Sequence, residues 1–584
     1  MKKFVKLSFT FMFLMSGISC KKTFEDHPLN FTTEGYIWDS TDPTGTSAVQ
    51  WVYKIYSQLP TGFTRINSML LEAVSDDAVP SNRGNASWNV INGGYTPLNT
   101  FDDNWGNCYS AIRRVNMFLN NYQRVPWADP TVPQYLVAEI RVMRAFFYYE
   151  LIKRYGGVPL LGDKVFSDDD PELFKVKRAS FSDCVNYIVS ELDAVKSKLR
   201  PDASLASRGS GNGTSEGTDP DAGRIRPSIA LAIKAKTLLL AASPLFNPSS
   251  TPNLDYTGYA TYDKDRWKAA AEACQDVMNL NLFALEPNRY LLATTHVNKE
   301  FIFMRYGGGY GTAWANLMSP VGYTVANTPS SGLASPTQEL VDAFPMANGK
   351  AITDPASGYD PNNPYTGRDP RLSQTVFYNG SQWLRRPVQT FEGGADKPNN
   401  SSVAGGVQTQ TGYYLKKFLA KDDNNTAYSN TMYAPSATTS TFCLIRYADI
   451  LLNYAEAENE YNGPDASVYS AVNAIRQRAG LNPYQVPAGL SQSEMRLLIQ
   501  NEDRLEFAFE ERRYFDIRRW KIAKQVYGSG GLHGVTITKN TDGSYGYAPI
   551  TVATPFFNSN SMYLYPIANN EILSNPNIKQ NPGY

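Results

Sequence analysis

The chain has 584 residues, and its 55 Lys and Arg are balanced by 55 Asp and Glu. No long basic run is present, so we expect no nucleic-acid partner, because a protein that binds polyphosphate carries a basic surface. Hydrophobic residues make up 42% of the chain, which excludes a wholly disordered protein. The three histidines and five cysteines include no C-x-x-C pair, which argues against zinc and iron–sulfur centres, and we expect no cofactor.

The start of the chain predicts a secretory signal peptide over residues 1–19. Three lysines among the first six residues precede an apolar stretch, residues 7–18, and small residues lead up to Cys20. The stretch is shorter than the roughly 20 residues that cross a bilayer. A cysteine at this place resembles the bacterial lipoprotein signal, so we expect lipidation of Cys20 and a mature chain of residues 20–584.

Apolar residues at helical spacing predict four helices in the first half of the chain. They cover residues 136–155, 180–199, 227–243 and 264–280. Gly156 and Gly157 end the first, and Ser180 begins the second as its N-cap. The glycine-rich stretch 200–225 is predicted to be a surface loop.

The middle of the chain is predicted to be rich in loops, over residues 300–440. A β-prone segment at 300–306 is followed directly by the glycine-rich run 307–311. No helix pattern or suitably placed acidic residue follows this run, so it does not predict a dinucleotide-binding turn. Loops on a rigid scaffold often carry binding residues.

Helical periodicity returns at Arg446 and predicts two helices joined by a turn at residues 463–465. The pair occupies about 34 residues, the period of a tetratricopeptide repeat. A capping box formed by Ser491 and Glu494 begins a last helix, which is predicted to run to about Tyr527.

The last predicted helix carries Glu502, Glu506 and Glu510 on one ridge. Two carboxylates in a cleft could serve glycoside hydrolysis. The alternative is an ion-pair network to the repeat pair, formed with arginines at positions 446, 476 or 478. Arginines match the carboxylates in number and would keep them ionised, which favours the network, because a general acid needs a raised pKa.

Several segments resemble the SusD/RagB family of outer-membrane nutrient-binding lipoproteins. They are DDAVPSNRG (76–84), AEIRVMRAFFYYELIKRYGGVPLL (138–161), RYADILLNYAEAENEYN (446–462), AVNAIRQRAGL (471–481), NEDRLEFAFEERRYFDIRRW (501–520) and YPIANNEILSNPNIKQNPGY (565–584). The resemblance implies a mainly α fold with about four tetratricopeptide-like helix pairs, long loops and a few short strands. The helical scaffold would lie mainly within 45–300 and 440–527.

Membership would also imply a function and a location. Proteins of this family bind oligosaccharides without cleaving them and dock on a SusC-like TonB-dependent transporter. We therefore expect a protein anchored by lipid in the outer membrane and facing the cell exterior. A glycoside hydrolase and a periplasmic repeat scaffold that binds protein remain alternatives.

Sugar binding requires aromatic rings beside short polar groups, because a pyranose packs its C–H face on a ring and directs its hydroxyls outward. The resemblance implies two candidate regions, and Trp383 is a further candidate ring. The glycan-binding candidates are Asp77, Arg83 and Trp88 in the first region and Tyr306, Tyr310 and Trp314 in the second.

Overall fold

The computed structural model describes residues 34–584 apart from 63, 67, 168–169, 205–220, 222, 296–297, 306–310, 401–405, 420–431 and 434–441. Cys20, Tyr306 and Tyr310 lie outside the described residues, as do most of the predicted loop 200–225 and of the glycine-rich run. Among the helices that are described, none combines the length and the apolar character needed to cross a bilayer.

Helices make up most of the regular structure. Their bounds are α1 Glu34–Ile37, α2 Thr46–Tyr56, α3 Ser87–Ile91, α4 Trp105–Asn121, α5 Thr131–Tyr155, α6 Phe181–Val195, α7 Pro227–Ala242, α8 Asp265–Asn279, α9 Leu291–Thr294, α10 Gly311–Met318, α11 Gln338–Ala343, α12 Pro370–Thr375, α13 Tyr447–Asn462, α14 Ala466–Ala479, α15 Gln492–Glu506, α16 Arg513–Arg519, α17 Ala523–Tyr527 and α18 Asn569–Ser574. The four helices predicted in the first half correspond to α5, α6, α7 and α8.

The strands are mostly short. They are β1 Ala78–Pro80, β2 Phe301–Arg305, β3 Thr324–Val325, β4 Thr328–Pro329, β5 Ala334–Pro336, β6 Val376–Phe377, β7 Gln382–Trp383, β8 Arg386–Pro387, β9 Tyr414–Leu415, β10 Met432–Tyr433, β11 Phe442–Arg446, β12 Leu532–Lys539 and β13 Tyr545–Ala553. Antiparallel pairs form between β1 and β5, β2 and β11, β6 and β9, β7 and β8, and β12 and β13. A small sheet has the order β10–β3–β4, in which β10 and β3 run parallel.

Eight of the described helices pack as four pairs: α2 with α4, α5 with α6, α7 with α8, and α13 with α14. Consecutive pairs contact each other through α4 and α5, α6 and α7, and α8 and α13. The last pair therefore continues the stack, although the loop-rich region separates it from α8 in sequence. This arrangement confirms the predicted mainly α fold with tetratricopeptide-like pairs.

Local sequence signals fix the ends of these helices. The Ser180 hydroxyl accepts the Asp183 N–H at the start of α6, and the Asp465 carboxylate accepts two N–H groups at the start of α14. The capping box of Ser491 and Glu494 is present at the start of α15. Gly156 ends α5 with a φ of 77°, a conformation that favours glycine.

The last predicted helix is wrong in its extent, because α15 ends at Glu506. Phe509 and Glu511 have φ values of 65° and 62°, and this left-handed backbone breaks the helix before α16 begins. Glu510 consequently lies outside the helix and does not share a ridge with Glu506.

The predicted ion-pair network is confirmed. Arg446 lies 2.8 Å from both Glu506 and Glu510, Arg478 bonds Glu506 at 2.5 Å, and Arg476 bonds Glu502 at 2.6 Å. Burial raises the pKa of Glu506, but Arg289, Arg478, Arg446 and Arg371 together bring it well below its usual value. Glu506 and Glu510 therefore remain ionised, and the network holds α15 against the last helix pair and the loop-rich region.

The loop-rich region has a second hydrophobic core of its own. It is built around α10, α11 and strands β5 to β9, and it extends to the end of α15 through Leu505 and Phe509. The helix pairs therefore form a scaffold on which a second, loop-built layer is fixed.

Candidate functional site

The part of the second candidate region that the structure describes, the helix with Trp314, lies beside the first region. Strand β1, within the segment 76–84, pairs with β5, and the Ser81 N–H donates to the Leu333 carbonyl just before β5. The Leu333 N–H in turn donates to the Leu317 carbonyl of α10. Backbone hydrogen bonds therefore join the segment that carries Arg83 to the helix that carries Trp314.

The acidic residues before β1 lie in the interior. Asp77 is fully buried, and its carboxylate accepts the Arg504 Nε–H at 2.7 Å. Asp76 pairs with Arg513 and Arg504, which lower the pKa of Asp76 despite its burial. Asp77 was predicted to contact a glycan, but here it joins the start of β1 to α15 through Arg504, and the neighbouring Asp76 makes the contact to α16 through Arg513.

The turn after β1 presents polar groups at the surface. The Asn82 side chain accepts the Gly84 N–H, and the Asn82 carbonyl accepts the indole N–H of Trp88 at 3.0 Å. The Arg83 guanidinium lies over the Trp88 ring, 4.3 Å from its centroid. Trp88 is 8% exposed, so Arg83 occupies the ring face on which a sugar was expected to stack. Arg83 itself is exposed.

Arg83 begins a row of hydrogen-bonded polar side chains that we name the amide row, formed by Arg83, Gln410, Gln408, Asn399 and Glu392. Arg83 donates to the Gln410 side chain at 3.0 Å, and Gln410 donates to the Ser81 and Gln408 carbonyls. The side chains of Gln408 and Asn399 bond at 2.6 Å, and Asn399 donates to Glu392. All five side chains are exposed or half-buried.

Trp314 and Trp383 belong to the second core. Trp314 is 2% exposed on α10, with its ring centroid 6.3 Å from that of Phe418. Trp383 is fully buried between Tyr323 and Phe377. These two rings were expected to face solvent, but their side chains pack inward because α10 and β7 close the second core.

Other rings lie next to the amide row. Phe391 precedes Glu392 and packs against Tyr545 of β13, with their centroids 5.7 Å apart, and both rings are half-buried. The Glu392 N–H donates to the Ile537 carbonyl, which joins the row to the β12–β13 hairpin. The surface thus combines amide, guanidinium and carboxylate groups with two partly open rings, which is the chemistry that a hydroxylated ligand requires.

The sequence did not predict four members of the amide row: Glu392, Asn399, Gln408 and Gln410. The alternation of amides in Gln408-Thr409-Gln410 within a glycine-rich region is a signal that could have pointed to them. Elsewhere in the described parts of the chain, no group of three or more His, Cys, Asp or Glu side chains converges to hold a metal ion.

Comparison with known proteins identifies the family. The model of the SusD family matches residues 299–584, and a model described as "Starch-binding associating with outer membrane" matches residues 47–208. The chain belongs to the SusD family. The match to SusD-like protein P38 of Formosa agariphila has 23% identity and covers 92% of this chain and 95% of that protein. SusD-like protein P2 of the same organism is 34% identical over 178 residues, which span 30% of this chain and 29% of P2.

Solved structures of SusD-like proteins share the fold. A SusD-like protein from Bacteroides fragilis is 27% identical, with a TM-score of 0.73 over 95% of this chain and 99% of that one. A laminarin-binding SusD-like protein is 21% identical, with a TM-score of 0.61 over 93% of this chain and all of that one. This chain therefore shares its overall fold with both proteins over more than nine tenths of its length.

Proposed function

We propose that this SusD-like protein binds oligosaccharides without cleaving them, at the surface that carries the amide row. The observation that carries the proposal is the row itself, because its side chains are exposed or half-buried and are held in place by hydrogen bonds. Preorganised groups of this kind bind hydroxyls with little loss of side-chain entropy. The family model described as starch-binding and the similar structure described as laminarin-binding support a neutral glycan as the ligand.

The ion-pair network supports binding without hydrolysis. Glu502 and Glu506 are the carboxylates that could have acted as a hydrolytic pair, and both are buried against arginines. A general acid needs a raised pKa and access to substrate, whereas the pKa of Glu506 is lowered. These carboxylates therefore serve stability.

Within the proposed function, the protein is anchored through Cys20 in the outer membrane, faces the exterior, and passes its ligand to a SusC-like TonB-dependent transporter. The description of the second family model, which names the outer membrane, supports this location.

Binding and cleavage are tested together. The purified protein is incubated with starch and laminarin oligosaccharides, and calorimetry is combined with an assay for new reducing ends. We expect binding of at least one oligosaccharide and no release of reducing sugar. Steady release of reducing ends would contradict the proposal.

A further inference from the structure

A second concave site lies away from the amide row, between α4, residues 159–166 and 173–176, and the C-terminal residues 571–578. The cavity has a volume of about 400 Å³. Small-molecule sites range from roughly 300 to 1,000 Å³. None of its lining residues belongs to the amide row.

Aromatic rings form much of the groove. Trp105 and Tyr109 of α4 lie on one side with their ring centroids 5.1 Å apart, and Phe166 and Phe174 also line the cavity. Phe174 is 43% exposed, and Tyr109 and Phe166 are half-buried. Trp105 is only 5% exposed, but Tyr109, Phe166 and Phe174 leave part of their surface open to a ligand.

Hydrogen bonds hold the walls in place. The Tyr109 hydroxyl donates to the Pro159 carbonyl at 2.8 Å. The Asn575 side chain donates to the Leu173 and Val176 carbonyls, and the Asn577 side chain donates to the Phe174 carbonyl at 2.9 Å. The groove is therefore formed before any ligand arrives, which reduces the entropy lost on binding.

Polar groups surround the rings: Ser110, Arg113, Lys164, Glu571 and Ser574. Arg113, Lys164 and the two serines are exposed, and Glu571 is half-buried. Hydroxyl groups of a ligand could exchange hydrogen bonds with these side chains. A purely apolar ligand would remove water from the charged groups and would offer them no new hydrogen bonds, which costs free energy.

We propose that this groove is a second carbohydrate-binding site, in which a pyranose packs against the rings and its hydroxyls reach the polar rim. The proposal rests on the carbohydrate-binding function proposed above. The site is concave and about the size of a small ligand, whereas a stable protein interface buries about 800 Å² on each partner. A pyranose therefore fits the groove better than a protein surface does.

The test uses the purified full chain with labelled methyl groups and follows the NMR signals of Leu161, Leu173, Val176 and Ile578, which line the groove. The probes are the methyl glycosides of glucose, galactose and mannose. We expect at least one probe to shift these signals in a saturable way, with a Kd no tighter than the millimolar range, because a monosaccharide has few atoms to contact the groove. Absence of saturable shifts with all three probes would overturn the proposal.

Two variants locate the binding. Ser574→Trp fills the groove and should raise the Kd of the probe at least about tenfold. Phe174→Ala should raise the Kd severalfold. Arg124→Ala, an exposed arginine outside the groove, serves as the matched control and should bind as the parent does. Equal shifts in the parent and both groove variants would overturn the site. The Arg83→Ala variant tests the amide row separately, because Arg83 does not line the groove.

Discussion

Side chains of similar chemistry have different roles in this protein according to how deeply they are buried. Arg83 is exposed and bonds Gln410, whereas Arg504 is largely buried and holds Asp77. Trp314 lies within the second core, whereas Phe391 is half-buried beside the amide row. A ligand can therefore reach Arg83 and Phe391, while Asp77 and Trp314 support the surface from beneath.

We predict that Trp314→Ala destabilises the protein by about 3–5 kcal/mol, because it leaves a cavity in the second core. Urea unfolding measures this loss. The control is Arg83→Ala, which should change the free energy of unfolding by less than about 0.5 kcal/mol, since surface substitutions usually have small effects. Unchanged stability of Trp314→Ala would mean that the ring is not part of the core.

The buried ion pairs of Glu150 should make the free energy of unfolding depend on pH. Lys153 and Arg154 donate to its carboxylate, and despite burial they lower the pKa of Glu150 to about 2. In the unfolded chain, the pKa of a glutamate is about 4.3. The ionised Glu150 therefore stabilises the fold above about pH 4–5, and this contribution disappears as the pH falls toward about 2.

The measurement is urea unfolding at pH 5 and pH 3 for the parent and for Glu150→Gln. Glutamine cannot ionise, so the variant should be less stable at pH 5 and should lose less stability on acidification. Equal losses in the two proteins would show that Glu150 does not contribute to the acid sensitivity.

At the scale of elements, the end of α5 depends on Gly156. Its φ is 77°, and a Cβ there would lie 2.4 Å from the Tyr256 carbonyl oxygen. We predict that Gly156→Ala destabilises the protein by more than about 1 kcal/mol, from backbone strain and steric overlap together. Gly358→Ala is the matched control, because Gly358 also has a φ of 77° but nothing lies within 4 Å of its Cβ position. Equal losses of melting temperature in both would exclude the overlap as a cause.

Elements with periodic patterns could be predicted from the sequence, and irregular ones could not. The stripe of α6, the turn between α13 and α14, and the pairing of Arg446 with the carboxylates of the last helix follow from spacing and charge. The break after Glu506 could not be predicted, because no glycine or proline marks it. Phe509 and Glu511 adopt the left-handed backbone there instead. The amide row joins Arg83 to residues more than 300 positions later, so only tertiary packing brings it together.

At the scale of the whole molecule, the stack of helix pairs supports a second core, and the amide row lies on that loop-built layer. The amide row thus has a fixed position, which suits the proposed binding of a ligand. The expected lipid anchor at Cys20 would hold the protein at the membrane.

The anchor predicts how the protein fractionates. In cells, the parent should sediment with the membranes, and Cys20→Ala should appear in the soluble fraction, because loss of the acyl chains removes the membrane affinity. Immunoblotting of the two fractions measures this. Cys443→Ala, at a cysteine that is half-buried in the fold, is the control and should remain with the membranes. Sedimentation of Cys20→Ala with the membranes would contradict lipidation at that residue.

Calorimetric titration of Arg83→Ala and Gln410→Ala shows whether the amide row binds oligosaccharide. The titrant is the oligosaccharide that the parent binds most tightly, and Arg124→Ala is the control. We predict that each amide-row variant loses at least about tenfold in affinity, or about 1.4 kcal/mol, while its melting temperature stays near that of the parent. Full affinity in the double variant Arg83→Ala, Gln410→Ala would show that the amide row is not the binding site.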